Sequence, residues 1–257
     1  QYIMKLNETG TFFPQESGLV RNTWYGRSHL EMVWWHAVHF ALWGRPKEFG
    51  SYMECYRDFL PDARARAAEE GRTGARWPKC VGEINREWPG DAHAFLLWQI
   101  PHPIYFAEQM WRENPSEATL EQWREIVLET AAYMADNLFY DEQRGEYVMG
   151  PPVYMVSENA AAGATVNPCF ELAYWRYGLE TALKWQERLG IERNPRWEDI
   201  LQHLAPLPVE DGLYVSYEGI EGQWSEKNFE HPAITGIYGM LPGNGVATAA
   251  VARTLEK

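Results

Sequence analysis

This sequence has little cysteine, few basic residues and no long apolar run. Its three cysteines, Cys55, Cys80 and Cys169, are odd in number and widely spaced, so they predict neither a disulfide framework nor a metal site. The cysteine content therefore does not indicate whether the protein belongs to a reducing or an oxidising compartment. Lys and Arg number 23 against 36 acidic residues, a formal net charge of −13. Without a basic patch, we predict no nucleic-acid partner.

Several functional signatures are also missing. The longest uncharged run, His231–Ala252, is interrupted by prolines and glycines, so we predict no membrane partner. The N-terminal segment is polar and amphipathic, so we predict that it is not a signal peptide. There is no glycine-rich phosphate loop and no GxSxG motif. His29, His36 and His39 do not have the i,i+4 spacing of a zinc-binding HExxH pair, so we predict no metal and no cofactor.

Aromatic residues, in contrast, are abundant. The 257 residues include 13 Trp, 14 Tyr and 10 Phe. A chain of this length can form one large domain with a sizeable core, and most of these rings are expected to pack in it. Aromatic faces also stack on the C–H faces of sugars, so some of the rings could line a carbohydrate-binding cleft.

Apolar residues recur at helical spacing through most of the chain. We therefore predict these helices: Ser28–Trp43, Glu48–Glu69, Ala92–Arg112, Glu117–Leu138, Pro168–Leu189, Pro195–Leu204, Ala233–Leu241 and Asn244–Leu255. Ser116 is a suitable N-cap for the fourth. Long loops follow alternate helices, over Thr73–Gly90, Tyr140–Asn167 and Pro206–Glu230, and short extended segments in them predict small β-hairpins.

Antiparallel helical hairpins in series indicate an all-α fold, an α/α toroid. The predicted helices are too few to close a barrel of six hairpins. We therefore expect residues 1–257 to be an incomplete toroid, a fragment of one catalytic domain of a larger protein.

Two segments in the first third of the chain predict a sugar-binding surface. Trp24–Arg45 carries aromatic, basic and acidic residues at the start of a predicted helix, although an amphipathic core helix would explain most of them. Gly74–Asp91 places cations and aromatic rings in a loop rich in Gly and Pro, which suits hydroxyl recognition but also an ordinary solvated loop. The candidate substrate-binding residues here are Trp24, Arg27, His29, Glu31, Arg76, Trp77 and Lys79.

Two further segments add candidates for substrate binding. Gln99 and His102 lie beside two prolines, and a kink there could point His102 into a cavity, unless the segment is simply a helix entry. His231 precedes a predicted helix N-terminus, where free N–H groups can meet an anion or a sugar hydroxyl. Simple capping of that helix by Asn228 or Glu230 is the alternative.

Glu158 is the candidate catalytic acid. It lies in a loop of small residues, with Asn159 next to it and Asn167 shortly after, and both are candidate substrate-binding residues. A glycosidic oxygen leaves only when it is protonated, so a general acid is required. The apolar residues Tyr154–Val156 could bury Glu158 and raise its pKa. A helix-capping or exposed loop acid is the alternative reading.

Three motifs together resemble the six-hairpin (α/α)6 glycosidases, in particular the 1,2-α-L-fucosidase family and the maltose/trehalose phosphorylase family. GARWPK, residues 74–79, resembles the phosphorylase loop GARFPW. GPPVYMVSENAAAGATVNP, residues 150–168, resembles the segment that carries the general acid in both families, and SEN is similar to the fucosidase-type SPEN. EHPAITGIYGMLPGN, residues 230–244, resembles the fucosidase-type HRHxSHLxGLYPGN.

The resemblance implies an inverting glycoside hydrolase that degrades an oligosaccharide or polysaccharide, with Glu158 as general acid and a base beyond residue 257. It also implies a β-sandwich domain upstream and slightly favours a periplasmic or secreted location. The third motif keeps His231 and the LPGN step, but Glu230 replaces its first histidine and Ile234-Thr235 its Ser-His step. These departures argue against fucose specificity.

Other activities remain open at this point. A sugar epimerase or isomerase on a similar toroid would use a histidine pair as acid and base, with His102 and His231 as candidates. A carbohydrate-binding domain without turnover would need the aromatic residues but not Glu158. A phosphorylase is disfavoured because the sequence has no clear phosphate-binding group of Ser, Lys and His.

Overall fold

The computed structural model describes residues 27–82, 85–227 and 232–257. The α-helices of these residues are α1 Val33–Leu42, α2 Pro46–Asp58, α3 Leu60–Glu69, α4 Asp91–Phe95, α5 His102–Glu113, α6 Glu117–Asp136, α7 Cys169–Arg188, α8 Pro195–His203 and α9 Thr248–Leu255. The strands are β1 Ser28–His29, β2 Cys80–Val81, β3 Phe139–Asp141, β4 Glu146–Val148, β5 Val209–Glu210 and β6 Leu213–Tyr214. Two 3₁₀ helices cover Ala162–Ala164 and Ala233–Ile237.

Every sheet in the described ranges is a pair of antiparallel strands, β1 with β2, β3 with β4 and β5 with β6. The predicted class of helices with small β-hairpins is therefore confirmed. The hairpin β5–β6 lies inside one predicted long loop, and β3–β4 begins one residue before another. The pair β1–β2 is different, because it joins segments that are far apart in the sequence.

The predicted helix boundaries are wrong where a segment pairs with a distant strand or contains proline. The first helix begins at Val33, because Ser28 and His29 pair with Val81 and Cys80. The helix predicted over Ala92–Arg112 is two helices, α4 and α5, separated by an irregular segment. Proline favours a first helical turn over a helix interior, and α5 accordingly begins at the Pro101–Pro103 step.

Two other predicted helices differ for related reasons. The segment Glu48–Glu69 is divided at Phe59, and Pro61 lies in the first turn of α3, where its missing N–H costs nothing. The segment predicted as a helix over Ala233–Leu241 contains only a 3₁₀ helix, Ala233–Ile237. Its two glycines lower helix propensity by about 1 kcal/mol each.

Local capping explains why other helices begin as predicted. The hydroxyl of Ser116 accepts a hydrogen bond of 3.2 Å from the backbone N–H of Thr119, as expected for the N-cap of α6. At α8, the side chain of Asn194 accepts from the N–H groups of Arg196 and Trp197 at 3.0 and 3.3 Å. Both caps satisfy donors that would otherwise lack a partner at a helix start.

The chain forms two compact units. The first contains Gln99–Tyr133, Lys184–Glu192 and the described part of Gln1–Ala94. In it, α1, α2 and α5 pack against one another around buried aromatic rings. Tyr56 contacts Trp77 edge to face, with ring centres 5.0 Å apart, and Phe49 contacts Phe106 in the same way at 5.4 Å.

The second unit contains Phe95–Trp98, Met134–Leu183 and the described part of Arg193–Lys257. Its core includes Trp98, Phe170 and Tyr174, which form a chain of ring contacts at 6.0 and 5.8 Å. The indole N–H of the fully buried Trp175 donates to the backbone oxygen of Met134 at 2.9 Å. In the described part of the chain, no helix is long and apolar enough to cross a membrane.

Candidate functional site

The predicted site residues that the structure describes fall into two groups, one in each unit. Trp24 and His231 lie outside the described residues. The first unit contains Arg27, His29, Glu31, Arg76, Trp77, Lys79, Gln99 and His102. The second unit contains Glu158, Asn159 and Asn167.

The β1–β2 pair brings the first two predicted segments together. Ser28 pairs with Val81 and His29 with Cys80, and the N–H of Leu30 donates to the backbone oxygen of Lys79 at 2.8 Å. The ammonium group of Lys79 lies 3.6 Å from a carboxylate oxygen of Glu31, and both side chains are about nine-tenths buried. Loops that are distant in sequence therefore form one polar cluster in the first unit.

His102 does not point into a cavity as predicted. It is completely buried, and its Nε2 lies 2.9 Å from the backbone oxygen of Glu31. Burial lowers the pKa of His102 to about 3, against the smaller opposing effect of that hydrogen bond. The imidazole is therefore neutral at physiological pH and donates its Nε2 proton to the carbonyl.

Gln99, Trp77 and His29 are also buried rather than exposed in a cleft. The amide of Gln99 donates to the backbone oxygen of Trp77 at 3.1 Å, and the Trp77 indole donates to the hydroxyl of Thr130 at 2.8 Å. The pKa of His29 is lowered to about 4, first by burial and then by the positive charge of Lys79. These buried side chains therefore support the polar cluster and are not open to a ligand.

Arg76 is held by two carboxylates. Its guanidinium donates to both oxygens of Glu87, at 2.6 and 2.8 Å, and its Nε lies 2.7 Å from Glu70. Burial opposes the charge on Arg76, but the paired hydrogen bonds with Glu87 outweigh it and raise the pKa of Arg76. The guanidinium is thus permanently charged and fixed in orientation.

In the second unit, Glu158 lies on a loop that is tied down at several points. The N–H of Val153 donates to Ala162 at 3.1 Å, and the N–H of Tyr154 donates to Phe95 at 2.9 Å. Glu158 itself adopts a left-handed backbone with φ +57°, and its N–H donates to the oxygen of Met155 at 2.9 Å. A non-glycine residue in this conformation is uncommon and often marks a functional position.

The side chain of Glu158 is exposed, as is that of its neighbour Asn159. The prediction that Tyr154–Val156 would bury Glu158 is therefore wrong. Met155 is buried, but Glu158 lies in a turn with a left-handed backbone and remains exposed.

The buried acid of this region is Glu171, which the sequence analysis missed. It lies in the first turn of α7, is 1% exposed, and accepts a hydrogen bond of 2.7 Å from the N–H of Val156. Burial raises the pKa of Glu171 to about 8, against the opposing effect of its backbone hydrogen bonds. The sequence does contain an indication of this burial, because Glu171 is an acidic residue inside the apolar run CFELAYW, residues 169–175.

Asn167 supports the same loop from its other end. It is completely buried, and its side-chain oxygen accepts from the N–H of Met149 at 2.8 Å while its amide donates to Glu218 at 2.7 Å. Its backbone N–H donates to the oxygen of Met149 at 2.9 Å. The predicted substrate contact is therefore replaced by a supporting role, because the amide is already committed to the loop. In the described ranges, no three His, Cys, Asp or Glu side chains are grouped to hold a metal ion.

Comparison with known proteins gives a fold neighbour. No protein-family profile matches the chain, and no curated protein matches it. A solved structure named "Putative kojibiose phosphorylase from human microbiome" matches with a TM-score of 0.68 and 11% sequence identity, over 93% of this chain. The chain spans about a third of that protein's length, 34%. This likeness confirms the predicted fold class, the mostly helical (α/α) toroid type.

Proposed function

We propose that the protein carrying this chain is a carbohydrate-active enzyme that cleaves a glycosidic bond, with Glu158 as the general acid. The observation that carries the proposal is the exposed Glu158 on an anchored loop, at φ +57°, in a chain whose fold matches a sugar phosphorylase. The motif resemblance at residues 157–159 supports the same role independently of the fold.

The anchored loop suits an acid that must meet a substrate in solution. Catalytic groups act best when the surrounding structure fixes their position, so that little reorganisation is needed during the reaction. Here Asn167 joins the two ends of the loop through its hydrogen bonds with Met149, and Glu171 holds the middle of the loop at Val156. Glu158 remains accessible. The buried residues therefore position the loop, and the exposed one carries the chemistry.

In the hydrolytic form of the proposal, the reaction inverts the anomeric carbon. The carboxyl proton of Glu158 passes to the glycosidic oxygen as the bond from that oxygen to the anomeric carbon breaks. Water adds to the anomeric carbon from the opposite face and gives its proton to a second carboxylate, roughly 6.5–9.5 Å from the first. The motif resemblance assigns this base to a residue after 257.

Phosphorolysis is the second candidate, and the name of the fold neighbour favours it. Inorganic phosphate would replace water as the nucleophile, and the product would be a sugar 1-phosphate. The role of Glu158 is the same in both reactions, because the leaving oxygen needs a proton in either case. Hydrolysis and phosphorolysis therefore differ only in the nucleophile, which is water in the first and phosphate in the second.

The epimerase alternative loses its support. It requires His102 as an acid or base, but His102 is completely buried and its Nε2 is engaged by the backbone oxygen of Glu31. A buried imidazole with a pKa near 3 cannot exchange protons with a sugar at neutral pH. The other histidine of that pair, His231, lies outside the described residues.

The test uses the full-length protein and two classes of substrate. Glu158→Gln should lower kcat on glycosides with a poor leaving group by at least about a hundredfold, the usual contribution of a general acid. Aryl glycosides with an activated leaving group, which need little protonation, should lose much less. Glu142→Gln, also exposed and in the same unit, is the matched control and should retain wild-type rates.

Each reaction is run with and without inorganic phosphate, and products are followed by NMR. A sugar 1-phosphate formed only with phosphate identifies a phosphorylase, and a free sugar of inverted configuration without phosphate identifies an inverting hydrolase. Wild-type rates for Glu158→Gln on both substrate classes would refute the proposal. A protein that binds glycans without turning any over would be a carbohydrate-binding domain.

A further inference from the structure

A cavity lies entirely within the first unit, and its lining includes no residue of the loop that carries Glu158. Its volume is about 350 Å³. The end of α3 and the segments before α4 contribute its polar lining, which comprises Arg66, Glu69, Glu70, Arg76, Glu87 and Trp88. This volume is at the lower end of the range of about 300–1,000 Å³ that is usual for small-molecule sites.

The acceptors of this cavity are fixed in place by Arg76. Its guanidinium binds Glu87 through two hydrogen bonds and Glu70 through a third contact. An ionised carboxylate can accept about four hydrogen bonds. Glu70 and Glu87 are also partly exposed, at 34% and 26%. Glu70 also accepts from Arg72 at 3.2 Å and from the hydroxyl of Tyr133 at 2.9 Å, so it can accept about one more hydrogen bond, whereas Glu87 can accept about two.

Arg66 forms another part of the lining. One terminal nitrogen of Arg66, Nη2, donates to the backbone oxygen of Asn85. The other, Nη1, is buried and has no hydrogen-bond partner among the described residues. A buried donor without an acceptor is costly, and burial lowers the pKa of Arg66 accordingly. Because Nη1 is not accessible, it is not a contact for a ligand in the cavity.

Trp88 supplies an aromatic surface beside these groups. It is 37% exposed, and the guanidinium carbon of Arg27 lies 4.0 Å from its ring centre. This cation–π contact fixes the ring. Sugar-binding sites need such a combination, because a sugar presents hydroxyls that donate and accept together with apolar C–H groups.

The charged groups in and beside the cavity narrow the ligand class. The lining carries three acids, Glu69, Glu70 and Glu87, and two arginines, Arg66 and Arg76, and two more arginines lie beside it, Arg27 on the Trp88 ring and Arg72 on Glu70. The carboxylate oxygens of Glu70 and Glu87 remain partly accessible, and they accept hydrogen bonds from the hydroxyls of a neutral ligand but cannot donate to a phosphate.

We infer that this cavity is a binding subsite for one neutral sugar unit, recognised by Trp88 and by the fixed carboxylates of Glu70 and Glu87. The inference rests on the proposed function for the class of substrate. It adds a subsite that lies wholly in the first unit. The sequence analysis had indicated hydroxyl recognition for Gly74–Asp91, but it had not predicted that Glu69 and Glu70 line the same cavity.

The first experiment measures how strongly the full-length protein is retained on an array of neutral oligosaccharides. Calorimetric titration then measures the Kd of the glycan that is retained best and, separately, the Kd of inorganic phosphate. Trp88→Ala and Glu87→Gln should each weaken the glycan Kd at least tenfold. Glu69→Gln, exposed on the rim, should weaken it less and leave thermal stability unchanged. Trp43→Ala is the control, because Trp43 is 75% exposed on the same unit but does not line the cavity.

Four outcomes would overturn the inference. They are no retention on any neutral glycan, unchanged affinity in Trp88→Ala and Glu87→Gln, equal losses in Trp43→Ala, and phosphate binding that depends on Arg66. Because Glu158→Gln should retain glycan binding, a loss of turnover without loss of binding separates the two proposals. Unchanged turnover in Glu158→Gln combined with weaker binding in Trp88→Ala would refute the catalytic role and keep the subsite.

Discussion

The carboxyl group of Glu171 accepts a hydrogen bond from the backbone N–H of Val156 at a distance of 2.7 Å. Val156 is two residues before Glu158, so a buried acid of α7 is connected to the segment that presents the exposed one. Because Glu171 is 1% exposed, it acts on the loop rather than on solvent. A change at Glu171 is therefore expected to alter both the stability of the second unit and the position of the loop that carries Glu158.

The raised pKa of Glu171 predicts a stability that falls as pH rises. Its folded pKa of about 8 exceeds that of an unfolded glutamate, 4.5, so the folded state retains a proton that the unfolded state releases between these values. The contribution is fully present below pH 4.5, is lost progressively up to pH 8, and is on the order of several kcal/mol. Glu171→Gln, which keeps the acceptor and cannot ionise, should remove this dependence.

The measurement for Glu171 is urea denaturation of wild type and variant at intervals between pH 4.5 and 9. The variant should become progressively more stable than the wild type up to about pH 8, and the difference should then level off. Glu142→Gln, an exposed acid of the same unit, should follow the wild type at every pH. Parallel curves for Glu171→Gln and wild type would show that Glu171 is ionised in the folded protein.

Asn167→Asp should destabilise the protein at neutral pH. The change removes the amide that donates to Glu218 at 2.7 Å and places two carboxylates together, although the oxygen that accepts from Met149 remains. We expect a loss of about 1–3 kcal/mol in the free energy of unfolding. The loss should shrink near pH 4, where one carboxyl is protonated and can donate again. Asn159→Asp, on the exposed part of the same loop, should change stability little, and a comparable loss there would contradict a specific role for Asn167.

Glu108→Gln should destabilise the first unit strongly. Glu108 is 4% exposed and accepts hydrogen bonds from Arg188 at 2.6 and 3.1 Å and from the Trp185 indole at 2.9 Å. Burial alone would raise the pKa of Glu108, but these hydrogen bonds outweigh it and lower the pKa. Removing one charge of a buried pair costs about 3–5 kcal/mol.

The pH dependence at Glu108 has the opposite sign to that at Glu171. Because its folded pKa is below that of an unfolded glutamate, its contribution is present above pH 4.5 and is lost as pH falls through the folded value. The deficit of Glu108→Gln, measured by denaturation, should therefore shrink at acidic pH. Glu121→Gln is the control, because Glu121 pairs with Arg124 on the surface and such pairs contribute less than about 1 kcal/mol. An equal deficit in both variants would exclude a special role for Glu108.

Gly74→Ala should cost more than Gly71→Ala, although both glycines have a positive φ, +82° and +70°. A Cβ atom at Gly74 would lie 2.2 Å from the backbone oxygen of Glu129 and 2.5 Å from the nitrogen of Tyr133, whereas a Cβ at Gly71 meets nothing within 4 Å. Both variants pay about 1–2 kcal/mol for the left-handed backbone. Overpacking should add about 1–3 kcal/mol at Gly74 alone. Thermal denaturation of the two variants measures the difference, and equal midpoints would show that the segment around Gly74 can move away.

The sequence predicted those features that depend on neighbouring residues. The helix predicted over Glu117–Leu138 is observed as Glu117–Asp136, because apolar periodicity and the Ser116 cap act within a few residues. The helix predicted over Ser28–Trp43 begins only at Val33, because its first residues form a strand with Cys80–Val81. No local pattern could predict that partner.

For the candidate site, the sequence by itself placed Glu158 on a loop of small residues and indicated a mostly helical chain, since both follow from local composition and periodicity. Tertiary structure decided which acid is exposed and which is buried. Glu158 and Glu171 are the same residue type, yet only Glu171 is enclosed, between its own helix and the loop that carries Glu158. Burial depends on all the groups that surround a side chain, most of which are distant in sequence, and the free energy of desolvation then sets the pKa of Glu171.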